Sequence, residues 1–315
     1  MEKAEISLNS RRLSNMLRGI SMLLVVVGHV GAAGFGFKQM VALGGIGVAI
    51  FLILSGYGLH ESYNRGGVKD FWKKKFTRIL IPYIIWVALY NVVVLVSPLA
   101  EETSDNTIKI PRFWFVEYIP IWYFAFWLAY RFFPSHAIRF FAAIAVIMFL
   151  LYGKTQAEQS LSFIVGVLLS IHKNTISSLS RQRLLQISFT TILIGGVFIF
   201  IRSLPFLSPY PEDHIFLKAI PLVMRLSFAA AIMSFLISMR VILPTLALIG
   251  LASYELYLVH MHFFQQIQGS WSLFWMFAVQ TILLTFVLYK IDSFCSQWIK
   301  DRLIRNNDLN PLQRT

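Results

Sequence analysis

Long apolar runs separated by short polar connections set the pattern of this chain. Runs close to membrane-spanning length fall at 17–36, 40–60, 79–99, 113–133, 137–153, 159–172, 184–204, 216–239, 242–265 and 271–289. A span needs about 20 apolar residues in helical form, and bilayer hydrocarbon leaves backbone amides no partner but their own helix. The pattern therefore predicts an all-α, polytopic membrane bundle of about ten transmembrane helices, the sixth of them short. The first run is full length and lacks a small-residue cleavage site, so no cleavable signal peptide is expected. The expected organisation is a short N-terminal segment at 1–16, one transmembrane domain over 17–295 and a tail at 296–315.

Charge then orients the runs. Lys3, Arg11, Arg12 and Arg18 flank the first run, and Arg65, Lys69, Lys73, Lys74, Lys75 and Arg78 follow the second. Arg131, Arg139, Lys173, Arg181, Arg183 and Arg240 fill the later even-numbered connections, and Lys290, Lys300, Arg302, Arg305 and Arg314 the tail. The opposite loops are poorer in cations and hold Glu101, Glu102, Asp105, Glu212 and Asp213. By the positive-inside rule both termini are expected in the cytoplasm. Pro205, Pro209 and Pro211 mark an irregular outside loop.

Composition agrees with a membrane protein. Hydrophobic residues make up 57% of the 315 residues and charged ones 14%, with a mean hydropathy of +0.66. The net charge of +13 could suggest nucleic acid, but the cations sit in short loops between apolar runs, so no nucleic-acid partner is expected. The single cysteine, Cys295, excludes an intrachain disulfide and a thiolate metal cluster.

Against this background the ionisable residues inside the runs carry the candidate chemistry. Arg18 and His29 are eleven residues apart, so a helix brings them to about the same face with His29 about 16 Å deeper. From a cation at the helix mouth, that is about half the hydrocarbon thickness. A neutral imidazole there suits general base work, and a structural hydrogen bond to a neighbouring helix is the competing account. In residues 44–59, Gly44, Gly45 and Gly47 allow close helix approach, and Ser55, Gly56 and Tyr57 follow. Lys73, Lys74, Lys75 and Arg78 form a cationic cluster suited to a phosphate-rich ligand or to anionic lipid, with Lys75 and Arg78 expected on one helix face and Pro82 kinking the helix beyond them.

Further on, Trp114, Glu117 and Tyr123 lie in an aromatic stretch loosened by Pro120, where Glu117 could pair with Arg112 or Arg225. Ser253, Glu255, Tyr257, His260 and His262 fall at helical spacings, without an HExxH or carboxylate arrangement for a metal. No Gly-x-Ser-x-Gly elbow supports a serine triad. No metal is expected.

Taken together, these segments resemble the acyltransferase-3 family of bacterial multi-pass membrane O-acyltransferases. Arg18 and His29 match its Arg-x10-His element. GVAIFLILSGY resembles its Gly-Val-x-x-Phe-Phe-x-x-Ser-Gly-Phe segment, with Leu52 and Tyr57 substituted. KKKFTRILIPY resembles its Arg-x-x-Arg-Ile-x-Pro motif, with Lys75 at the first arginine. WFVEYIPIWY is similar to a Trp-Phe variant of its fourth motif, with Ile119 where many members carry glutamate. SYELYLVH is close to its Ser-Tyr-x-x-Tyr-Leu-x-His element.

The resemblance implies a stand-alone enzyme of the cytoplasmic (inner) cell membrane. It would move an acyl group, acetyl by family default, from cytoplasmic acetyl-CoA to a hydroxyl of a cell-surface or lipid-linked glycan. His29 and Arg18 would carry catalysis. Lys73, Lys74, Lys75 and Arg78 would hold the CoA phosphates, with Ser55, Gly56 and Tyr57 shaping the donor entrance. The alternative reading is a secondary transporter or exporter of a glycan precursor or small organic acid; it predicts inverted repeats, and none is visible in the sequence.

Overall fold

A computed structural model describes residues 10–96 and 113–308. Among them the regular structure is helical. In chain order the α-helices are α1 (Arg11–Ala32), α2 (Val41–Gly66), α3 (Phe71–Lys75), α4 (Ile81–Val96), α5 (Trp114–Phe132), α6 (Ala137–Leu151) and α7 (Lys154–Ala157). There follow α8 (Ser162–Ile171), α9 (Lys173–Ser177), α10 (Arg181–Arg202), α11 (Ile215–Met239), α12 (Pro244–Leu251), α13 (Ser253–Phe263) and α14 (Trp271–Asp308). Each of the ten apolar runs holds a helix. Among the described residues six helices are long and apolar enough to cross a membrane, or seven if the pair broken near Ala252 counts as one span. The sixth run forms only the ten-residue α8, about 15 Å long, which is half a bilayer's hydrocarbon.

Contacts divide the chain into two compact units. The first holds residues 1–69, 113–253 and 268–270; the second holds 70–112, 254–267 and 271–315.

In the first unit α1 packs against α2 and α12, α2 against α8 and α11, and α10 against α11. Lipid tails are as apolar as leucine, so close backbone approach and dispersion contacts must hold these helices together. Small residues supply the approach. Ser21 Oγ donates to Gly47 O at 2.6 Å. A Cβ on Gly28 would lie 2.6 Å from Gly44 N, and one on Gly19 would collide with Leu246 O. A Cβ on Gly56 would strike Phe163 O, and one on Gly166 would strike Ile53 O. Leu13, Met16 and Leu17 of α1, Ile46, Ile50 and Ile53 of α2, and Ala229 and Met233 of α11 fill the space these contacts enclose. Beyond α1 the chain turns through Gly34 at φ +96°, a conformation glycine adopts freely. Gly269 N there donates to Ala33 O at 2.6 Å, satisfying a carbonyl that the helix end leaves open.

In the second unit the helix from Phe71 to Val96 is interrupted by a π-helical turn at Phe76–Leu80. Pro82, two residues on, cannot donate an amide hydrogen and its ring crowds the carbonyl four residues back, which is Arg78's. The wider turn absorbs both effects. The last helix, α14, runs 38 residues to Asp308, well past the apolar run that ends at 289.

Candidate active site

Arg18 and His29 sit on α1, but not where the apolar run alone would put them. The helix starts at Arg11, not at Arg18. Arg18 therefore lies about 10 Å inside the helix, and His29 is in its last turn, about 5 Å from the C-terminal end. Hydropathy marks where apolar residues begin, whereas Arg11, Arg12 and Asn15 extend the helix as polar residues.

The helix geometry gives the two residues a shared aspect. With Ser21 taken as zero and about 100° per residue, the α2-facing Ser21, Val25 and Gly28 fall at roughly 0°, 40° and 340°. Asn15 and Gly19, in contact with α12, fall at roughly 120° and 160°. Arg18 and His29 lie between these faces, at roughly 60° and 80°. Exposed Leu23 and Val27 lie at roughly 200° and 240°. Arg18 and His29 thus line one stripe in the angle between the α2 and α12 contacts, away from the outward face, and both are half-buried.

The glycines of α2 beside this stripe have separate partners. Gly44 meets Gly28, the neighbour of His29, and Gly47 meets Ser21. Gly45 makes room for Arg225: a Cβ there would sit on the guanidinium. Arg225, from α11, forms an ion pair with Glu158 through its Nη1. The carboxylate of Glu158 is 1% exposed and the arginine side chain 16%. Gln159 Nε2 donates to Gly45 O at 2.9 Å and Ser162 Oγ to Gln159 Oε1 at 3.2 Å. Glu158, Gln159, Ser160 and Ser162 are all buried. The acid paired with Arg225 is thus Glu158, which sequence reasoning missed, and not Glu117. Its signal was an acid at the head of the short sixth run, in the segment AEQSLSF.

Glu117 is exposed in the first turn of α5, where the helix dipole favours an acid. Arg112, its other expected partner, and the acidic group at Glu101, Glu102 and Asp105 lie outside the described residues. Trp114 packs edgewise on Phe115 at 5.9 Å, and Tyr123 is half-buried. The buried indole of α5 is Trp122, stacked on Phe163 at 5.0 Å.

At the other end of α2, Gly56 is taken up by the contact with α8, so helix packing accounts for it. Ser55 and Tyr57 are half-buried beside it. One turn further, Lys173 Nζ pairs with Glu61 at 2.9 Å. Ser170 Oγ donates to Glu61 Oε1 at 2.7 Å, so the 2.8 Å contact between His60 Nδ1 and Ser170 Oγ has the imidazole as donor. This relay ties α2 to α8 and α9.

The second unit holds the cationic cluster. Lys73, Lys74 and Arg78 are exposed, and Lys75 Nζ lies over the Phe71 ring at 5.6 Å. An unbroken α-helix would put Lys75 and Arg78 on one face. The π turn rotates Arg78 away from Lys75 and back toward Lys74. Tyr254 Oη donates to Ile79 O at 3.1 Å, joining the RILIPY and SYELYLVH segments directly. Glu255, Tyr257 and His260 are buried on α13, and Ser253, at its start, is buried within the first unit. His260 Nδ1 donates to Leu256 O at 2.9 Å, which makes Nε2 the basic nitrogen. Trp86 Nε1 donates to His262 Nδ1 at 3.2 Å, and Tyr90 packs on that imidazole at 3.9 Å. Tyr254, Trp86 and Tyr90 were not singled out from the sequence.

Glycines thus pack α1 beside its ionisable stripe, and the Tyr254–Ile79 hydrogen bond joins the RILIPY and SYELYLVH segments. The family described as Acyltransferase domain matches residues 14–289, most of the chain. The chain belongs to the acyltransferase-3 family. Neither a curated protein nor a solved structure matches it. The family match begins at Ser14 and so takes in both Arg18 and His29, as well as the cationic cluster and α13. A membrane acyltransferase is the activity this membership supports.

Proposed function

We propose that the protein transfers an acyl group, acetyl in the first instance, from cytoplasmic acyl-CoA to a hydroxyl of a cell-surface or lipid-linked glycan. It does so from the inner membrane as a bundle of about ten spans with both termini in the cytoplasm. The observation that carries the reading is the Arg18–His29 stripe, turned into the angle between α2 and α12 in a chain of acyltransferase family.

His29 acts as the general base. It takes the proton of the acceptor hydroxyl as that oxygen attacks the thioester carbonyl. A C–O bond forms, the C–S bond breaks, and the proton passes from the imidazolium to the departing CoA thiolate. Such a base is typically worth about 10²–10⁴-fold in rate. Arg18, about 16 Å along the same stripe, is a cation for the donor's phosphates or the charge that develops on the way. Lys73, Lys74, Lys75 and Arg78 hold the remaining CoA phosphates, and Ser55 and Tyr57 flank the donor's path.

The test is turnover by the purified full-length protein in detergent or nanodiscs. Radiolabelled acetyl-CoA is offered with lipid-linked oligosaccharide, and labelled glycan is recovered. Release of free CoA only in the presence of an acceptor supports the reading. No transfer to any hydroxyl acceptor, from a preparation that binds acetyl-CoA, contradicts it.

A further inference from the structure

A slot of about 390 Å³ runs through the first unit between α1, α2, α8, α10 and α11. Leu17, Ile53, Leu184, Ala230 and Ile237 give it apolar walls, and Tyr57 lines it as well. Along α11 the lining extends from Leu226 to Ile237, about 16 Å of helix rise. One end of the slot lies among cations. Arg11 and Arg12 precede Leu13, Arg240 follows Ile237 by three residues, and Arg181 and Arg183 precede Leu184; all five are exposed. No Asp or Glu occurs in 10–14, 180–187 or 237–243.

The slot also has a side opening. A shallower groove along α10, lined by Arg183, Gln186, Ile187, Thr190 and Thr191, shares Ile187 and Thr191 with it. Further along and round α10, Phe189, Leu193, Val197 and Phe200 are exposed. An apolar outward face on a helix long enough to span is a lipid-facing surface. An occupant entering over Ile187 therefore comes from the bilayer.

Volume, shape and charge together specify its chemistry. A cavity of about 150 Å³ accommodates benzene, or about 25 Å³ per carbon, so the slot has room for roughly fifteen carbons. That is one membrane-lipid chain and far more than an acetyl group. Arg183 lines the groove one helical turn before the shared Ile187, and is a cation placed for a phosphate. We propose that the slot binds one hydrocarbon chain of an anionic glycerophospholipid, with its phosphate held at Arg183. The slot shares Tyr57 with the proposed donor path, and the palmitoyl-CoA arm of the experiment below separates the two occupants.

The experiment is native mass spectrometry of the full-length protein in detergent, titrated with dipalmitoyl phosphatidylglycerol or with dipalmitoyl phosphatidylcholine. Ala230→Phe fills the slot and Ile187→Trp blocks its exposed opening; Arg183→Gln removes the cation. The expected result is one tightly bound phosphatidylglycerol, weakened about tenfold or more by either bulky variant. Arg183→Gln should abolish the preference over phosphatidylcholine while leaving the chain bound. The two bulky variants guard against misfolding at one site, and their unfolding temperatures without lipid are compared with the parent's. Equal binding of both lipids by the parent overturns the proposal. So does unchanged phosphatidylglycerol binding in both bulky variants, or its displacement by palmitoyl-CoA at equal concentration, which would assign the slot to the acyl donor.

Discussion

Gly28 of α1 and Gly44 of α2 meet backbone to backbone, so that a Cβ on Gly28 would lie 2.6 Å from Gly44 N and 2.7 Å from its Cα. No side chain is available to move aside there. Gly28→Ala should therefore push the helices apart beside His29, with a stability loss of about 1–3 kcal/mol, the usual range for overpacking. Thermal unfolding of the purified protein in one detergent measures it. Gly58, whose added Cβ meets nothing within 4 Å, is the control position. Equal unfolding temperatures for Gly28→Ala and Gly58→Ala would contradict the contact.

The ion pair of Glu158 and Arg225 joins the segment before α8 to α11, with Gly45 of α2 against the guanidinium. Removing one member of a buried pair strands the other, at about 3–5 kcal/mol; the partial exposure of Arg225 puts the expectation near the lower figure. Arg225→Met should be strongly destabilising, and adding Glu158→Leu should restore much of the loss. A double-mutant cycle on unfolding free energies tests this, and additive effects would remove the pair from the account.

Tyr254 holds the π turn through Ile79 O at 3.1 Å. Tyr254→Phe deletes one hydrogen bond, worth about 1 kcal/mol net. Hydrogen exchange should quicken at 76–84, with little change elsewhere. A variant with parent-like protection of that segment would show that the turn is set by Pro82 alone.

Within the cationic cluster, the π turn separates the roles of its members. Lys74 and Arg78 are exposed and rotated toward each other, whereas Lys75 lies over Phe71. Lys74→Ala/Arg78→Ala should raise KM for acyl-CoA and flatten its salt dependence more than Lys75→Ala does. Initial-rate kinetics at two ionic strengths decide it, and the reverse order would restore the Lys75–Arg78 pairing that an unbroken α-helix predicts.

The helical class, the positions of the ten apolar runs and the family were legible because each rests on local signals: runs of apolar residues and short motifs. Helix ends were less so. Arg11, Arg12 and Asn15 belong to α1 although they are polar, and α14 continues through Lys290 and Asp292 to Asp308. Hydropathy measures apolar length, not helix length. The break at Ala252 escaped for the same reason, whereas the shortness of α8 was visible in the short sixth run. Among site residues, Glu158 was hidden because its partner Arg225 is 67 positions away, and a pair at that range leaves no local pattern. The π turn is likewise invisible in composition, although Pro82 supplies its cause. Gly45 and Gly56 looked alike as small residues, yet one receives a guanidinium and the other a helix backbone.

The central claim is that His29 removes the acceptor's proton. Its most direct test is kcat and KM for His29→Ala, and for Arg18→Ala beside it, in protein with parent-like yield and unfolding temperature. His29→Ala should lower kcat by about 10²–10⁴-fold with KM for acyl-CoA little changed, the signature of a group that acts in the transition state. A folded His29→Ala enzyme that transfers acyl groups at the parent rate would contradict the account.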